Sequence, residues 1–169
     1  LNNLPAKFDV ESINNFEFKV PTSLIDTHRQ FIWGFSLTKS KNHPFLGYGP
    51  DTSNFIDGSQ KIIGHEKTGD MTFIPSHPHN FFIEILLELG IFGACSFIFF
   101  VFFLNYKIFK NANNREKLYL IFFNGYFWGS SLVNFSFWLG WWQGSYFFIL
   151  SLIATQIFFK LKKDYKNSY

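Results

Sequence analysis

Two imidazoles, a guanidinium and two carboxylates make up the chemistry this chain can offer. His77 and His79 sit in Ser76-His77-Pro78-His79-Asn80, directly before an apolar run over residues 81–104. A neutral imidazole, with an ordinary pKa near 6.5, suits a general base, which makes His79 the first candidate. If a helix starts near Pro78–Asn80, its free N–H groups and positive dipole end attract phosphate-like anions. The same residues also read simply as the start of an amphipathic helix. Arg29 is the second candidate, because its fork of donors matches a pyrophosphate or carboxylate; a solvated or interfacial arginine fits its position equally well. Glu84 and Glu88 lie one turn apart on one face. Carboxylates near a helix N-terminus are favoured by the dipole, whereas a carboxylate inside hydrocarbon is costly and faces a partner or a wet cavity.

Other chemistries are disfavoured. His43, His65, His77 and His79 are irregularly spaced, Cys95 lies in the apolar run, and no acidic residue stands at a ligand spacing, so no metal site is expected. There is no Walker-type phosphate loop, no serine nucleophile elbow and no CxxC pair, and no cofactor is expected. The lone Cys95 cannot form an internal disulfide and reads as a packing residue. The basic residues cluster at Lys107, Lys110, Arg115 and Lys117 and again at Lys160, Lys162, Lys163 and Lys166. Each cluster abuts an apolar run, which is a topological signal rather than a nucleic-acid surface.

The elements that must position these groups are helices. About 20 apolar residues cross a hydrocarbon core, and three such spans can be drawn, over roughly 81–106, 117–138 and 141–159. Trp138, Trp141 and Trp142 crowd the connection between the last two, where an interfacial aromatic belt would sit. The positive-inside rule places the 107–117 loop and the C-terminus in the cytoplasm, and therefore His79 and residues 1–80 on the periplasmic or external side. Residues 1–22 are polar without a clear period. Residues 23–41 suggest a helix with an apolar stripe of Ile25, Ile32, Trp33, Ser36 and Leu37, capped by Asp26 or Ser23 and ended by Asn42-His43-Pro44. Gly47-Tyr48-Gly49-Pro50-Asp51 is a turn cluster, and residues 57–76 read as a polar surface loop. Gly90, Gly93 and Ala94, the Gly125/Gly129 pair and the Gly140/Gly144 pair suggest close helix packing. Asn124, Ser131 and Asn134 fall on one side of the second span, where they could bond to neighbours or line a polar cavity.

Three elements in fixed order then carry a resemblance. His79-Asn80, nine residues, Gly90, two residues, Gly93 resembles the signature of the bacterial O-antigen ligase and polymerase family. Arg29-Gln30-Phe31-Ile32-Trp33 and His43-Pro44-Phe45-Leu46-Gly47-Tyr48-Gly49-Pro50 are similar to that family's arginine helix and its proline-glycine turn, although the family more usually has Leu at the place of Trp33. The resemblance implies an all-α integral membrane protein, the C-terminal part of a polytopic bundle of the GT-C type. Three transmembrane helices would follow an external loop with an amphipathic helix. It implies a multi-pass protein of the bacterial inner membrane that transfers or polymerises undecaprenyl-pyrophosphate-linked oligosaccharide without a metal. Its acceptor would be a lipid, glycan or protein. His79 and Arg29 match the family's catalytic residues, with Asn80, Glu84, Glu88 and His77 as candidate substrate-binding residues.

Two other readings use the same residues. In a membrane transporter or channel subunit, Glu88, Asn124 and Asn134 would line a path, and discontinuous helices or paired repeats would be expected. A truncated, non-catalytic remnant of the family would keep the motif without a donor site.

Overall fold

The computed structural model describes residues 21–167, the side chains of 161 and 163–167 excepted. Most of the 1–22 stretch and the side chains of Lys163 and Lys166 thus lie outside the described residues. Among the described residues four α-helices follow in order, α1 (Thr27–Ser40), α2 (Phe81–Asn111), α3 (Asn114–Ser131) and α4 (Gly140–Asn167), with a short 3-10 turn at Ser53–Phe55. Among the described residues there is no strand, only an isolated antiparallel bridge between Ile62 and Thr72. Two helices, Phe81–Asn111 and Gly140–Lys160, are long and apolar enough to cross a membrane.

Asp26 caps α1 by accepting the Arg29 N–H at 3.0 Å. The expected stripe is too narrow: Gln30 through Ser36 are all buried, so α1 is enclosed on every side rather than on one face. Its covers come partly from the segment expected as a surface loop. Ile63, Phe73 and Ile74 pack with Phe31, Ile32, Trp33, Phe35, Ile56 and Leu87 in one core. Scattered apolar residues among polar ones have no period to announce this burial.

The largest departure from the sequence reading is in α2, expected as one continuous span. Gly90 has φ 65° and ψ −169°, and the helix breaks there. At a rise of 1.5 Å per residue, Phe81 and Phe97 would stand about 24 Å apart along a straight helix. Their ring centroids are 5.5 Å apart, so residues 81–89 fold back beside residues 91–111.

The backbone groups released by the break are taken up by the proline-glycine turn. In an unbroken helix Ile91 and Phe92 would donate to Leu87 and Glu88. Instead the Ile91 N–H donates to Pro44 O at 2.9 Å and the Phe92 N–H to Phe45 O at 3.2 Å. The freed carbonyls accept from the turn: Tyr48 N–H to Leu87 O at 3.0 Å, Gly49 N–H to Glu88 O at 2.9 Å. Four backbone partners are exchanged rather than lost, as an interrupted apolar helix requires. The approach needs glycine on both sides. A Cβ at Gly47 would lie 2.3 Å from Glu88 C and O, and one at Gly90 would lie 2.4 Å from Phe45 C and O.

α3 is shorter than expected and stops at Ser131, with residues 132–139 turning back over the first half of α2. Below this level α2, α3 and α4 form a bundle around Val101, Ile108, Leu120, Phe127, Trp142, Tyr146, Leu150 and Ile157. A closed ring of hydrogen bonds ties the three helices together. Asn124 Nδ2 donates to Asn105 Oδ1 (2.8 Å), Asn105 Nδ2 to the Tyr146 hydroxyl (2.7 Å), and that hydroxyl to Asn124 Oδ1 (2.8 Å). The glycine pairs 125/129 and 140/144 do not serve packing within the described residues, since a Cβ on any of them would meet nothing within 4 Å. At the far end Asn113 and Glu116 form a capping box for α3, and Lys160 reaches Glu116 at 3.6 Å. This pair brings the two basic clusters to one end of the bundle.

Candidate active site

His79 stands at the mouth of the first half of α2, held from both sides. Upstream, the Trp33 indole N–H donates to Pro78 O at 3.1 Å. Downstream, Asn80 caps the helix, its Oδ1 accepting from Phe82 N and Ile83 N at 3.1 Å each, while its Nδ2 donates to Leu132 O at 2.7 Å. Between these anchors His79 takes φ 53°, a left-handed conformation that a non-glycine residue seldom adopts. Such conformations persist where surrounding contacts impose them, and they concentrate at functional sites.

His77 and His79 lie together, ring centroids 4.3 Å apart at 47°. Burial pushes the His79 pKa down from 6.5 to about 4, with electrostatic interaction with His77, Arg29 and His28 adding to the effect and Asp26 opposing it. Burial also lowers the pKa of His77. Both imidazoles are therefore neutral at pH 7 and able to accept protons. Arg29 comes close enough to act on His79 by charge while its Nε stays 3.4 Å from Asp26 Oδ2. His28 anchors through Nε2 to Thr72 O at 2.9 Å. Its adjacency to Arg29 was the only sign in the sequence that it belongs here.

Asn80, Glu84 and Glu88 are buried and already engaged by the protein. Glu84 accepts from the Ser136 hydroxyl at 2.8 Å and from the Phe137 N–H. Glu88 accepts from Asp51 N (2.6 Å), Ser53 N (2.9 Å), the Ser53 hydroxyl and the Trp138 indole N–H. The two carboxylates bind the 51–53 and 136–138 segments to the broken helix. The tryptophans expected as one interfacial belt separate accordingly. Trp138 serves Glu88, Trp142 is buried against Phe135 (3.8 Å) and Phe127 (4.4 Å), and Trp141 is exposed. Glu88, Asn124 and Asn134 do not line a shared path, since Glu88 is saturated, Asn124 belongs to the bundle's polar ring and Asn134 is exposed beyond α3. Among the described residues no group of three or more His, Cys, Asp or Glu is arranged to hold a metal ion.

An apolar groove of about 680 Å³ runs between α2 and α3 from Phe82 in the first turn of α2, lined by Phe82, Phe97, Val101, Asn105, Asn124 and Trp128 among others. The described residues are thus those of a helical membrane protein with a half-helix N-terminus that carries a neutral imidazole pair, on which an arginine acts by charge. A sequence profile described as O-antigen ligase matches residues 7–98, more than half of the chain, and the chain belongs to that family. Its relatives include proteins named "Putative polysaccharide ligase" from three species. They are 34% identical in Rickettsia prowazekii, 35% in Rickettsia typhi and 34% in Rickettsia felis, each over 136 residues. Each alignment covers 77% of this chain and 32% of the relative, so the chain spans about a third of the length of the curated relatives it matches. No solved structure matches it.

Proposed function

We propose that this chain carries the catalytic base of a membrane glycosyltransferase. The enzyme would transfer or polymerise oligosaccharide linked to undecaprenyl pyrophosphate, onto a lipid, glycan or protein acceptor and without a metal. The observation that carries the reading is a neutral, strained His79 at a half-helix N-terminus, with Arg29 acting on it by charge and the family signature running through both. His79 takes the proton from an acceptor hydroxyl as its oxygen attacks the anomeric carbon of the donor. The bond from that carbon to the diphosphate oxygen breaks on the opposite face, so configuration inverts. Arg29 and the positive dipole end of α2, whose Phe82 and Ile83 N–H groups are capped by Asn80, stabilise the negative charge growing on the leaving diphosphate. Alone, an imidazole of pKa about 4 is a weak base. The anionic donor corrects this, because negative charge beside His79 raises its proton affinity once substrate is bound. The groove beginning at Phe82 takes the polyprenyl tail.

The two basic clusters, joined at one end by Lys160 and Glu116, face the cytoplasm of a bacterial inner membrane, and His79 faces the periplasm. α3 crosses as the third membrane helix beside the two more apolar ones. The break at Gly90 is also what a transporter reading asks for. The same half-helix end serves an enzyme with a diphosphate donor, and the family match favours the enzyme.

The test is complementation of a deletion strain with the full-length gene carrying His79→Ala. Surface glycan is read on gels and membrane insertion by immunoblot. Loss of transfer by about 100-fold or more with normal insertion is expected for a general base. Glycan missing from its acceptor identifies a ligase, and a single repeat unit on the acceptor a polymerase. A wild-type profile from His79→Ala would remove the base assignment.

A further inference from the structure

His77 has an incomplete set of hydrogen bonds. Its Nδ1 lies 3.0 Å from the Ser76 hydroxyl. Its Nε2 is shut off from solvent and has no partner among the described residues. A dry polar nitrogen without a partner is unfavourable and rare in folded proteins. A neighbouring side chain can supply the missing partner. The ring that lies against it, 4.3 Å away, is that of His79. The His79 ring nitrogen that does not serve as the base carries an N–H, a donor of the kind His77 Nε2 lacks.

We infer that His77 is a positioning residue for His79: its Nε2 accepts a hydrogen bond from the N–H of the His79 ring nitrogen that does not serve as the base. The inference rests on the reading of His79 as the base. With Nδ1–H donating to the Ser76 hydroxyl, Nε2 carries the free lone pair. One ring nitrogen of His79 takes the proton from the acceptor hydroxyl, and the other donates to His77 Nε2. No proton passes on to His77, and His79 gives its proton to the leaving diphosphate or to solvent when product leaves. The bond is open to neutral His79 and becomes charge-assisted in the imidazolium, where it steadies the ring. Arg29 and His28 on α1, and Asp26 at its cap, are the other charged or titratable groups that act on His79. Pro78 and its tether to Trp33 keep the two rings together.

The experiment compares the full-length enzyme with its His77→Ala and His77→Gln forms in membranes, using the lipid-linked donor and measuring kcat, KM and the pH profile of kcat. His77→Ala should lower kcat about tenfold, the size of one charge-assisted bond, with KM changed less than about twofold. It should also move the acid limb of the kcat profile to lower pH. His77→Gln offers a side-chain carbonyl near the place of Nε2 and should restore kcat to within about threefold. A raised KM with unchanged kcat would overturn the inference in favour of direct substrate contact. Loss of kcat with no shift of the limb and no recovery in the Gln form would overturn it in favour of a structural role, and an unaltered His77→Ala enzyme would remove it altogether. The base reading fails separately, through an active His79→Ala.

Discussion

The two halves of α2 are nearly alike in hydropathy and opposite in surroundings. In residues 81–90 no side chain is exposed, and in residues 91–100 none is buried. The first half is wrapped by α1, the 44–53 loop and the 132–139 turn. The second faces outward with Phe92, Phe99, Phe100 and Phe102, each half or more exposed. Hydropathy measures what a segment tolerates, and both lipid and a protein core are apolar. What separates the halves is backbone hydrogen bonding, redirected at Gly90 into the proline-glycine turn. The half that carries the proposed base is fixed by polar contacts, and the more exposed apolar half by packing and one polar ring.

The sharpest way to break this contrast is at the exchange itself. Gly90→Ala meets both a positive φ and the Phe45 backbone, and is expected to cost about 3 kcal/mol or more. Thermal unfolding of the detergent-purified protein, followed by tryptophan fluorescence, should show the loss. Gly125→Ala, in open space on α3, should be neutral or stabilise by up to about 1 kcal/mol. Equal effects at the two glycines would mean that the turn is not spliced into α2.

Glu88→Gln comes next, because an amide puts a donor where Glu88 accepts four hydrogen bonds; a loss of about 2–3 kcal/mol is expected in the same melt. Should Glu88→Gln keep full stability and lose only donor affinity, Glu88 contacts substrate rather than the 51–53 loop. In the bundle, Tyr146→Phe opens the ring with Asn105 and Asn124, and about 1 kcal/mol is expected, as for other hydrogen bonds between membrane helices. A melt as damaged as that of Glu88→Gln would erase the difference between the two regions.

The smallest effect concerns pH. With His79 at about 4 rather than 6.5, the base stays neutral as pH falls from 7 to 5. The acid limb of kcat/KM, which reports the free enzyme, should then lie near pH 4, with activity at pH 5 reduced less than about twofold by this group. A limb near 6.5 would show that the site is wetter than its packing suggests. The same depression has a stability consequence. Since the unfolded imidazole binds its proton near 6.5 and the folded one only near 4, protonation favours the unfolded chain, and this contribution to stability falls away as pH drops between those values.

The sequence by itself determined the helices, the apolar runs, the basic clusters and the signature residues, because these follow from composition and local spacing. Asp26 and Asn80 act as caps for local reasons, and the order of Arg29, the proline-glycine turn and His79-Asn80 identified the family. Tertiary structure alone decided the break at Gly90. A glycine in an apolar run is equally at home in a packed helix, and only the arrival of residues 44–49 from forty positions upstream makes φ 65° the favourable choice. It likewise decided that Glu84 and Glu88 are engaged by loops 35 to 53 residues away in sequence. It set the Trp33 indole on the Pro78 carbonyl. Contacts of that separation leave no period in a sequence, because their partners are chosen by the path of the chain in space.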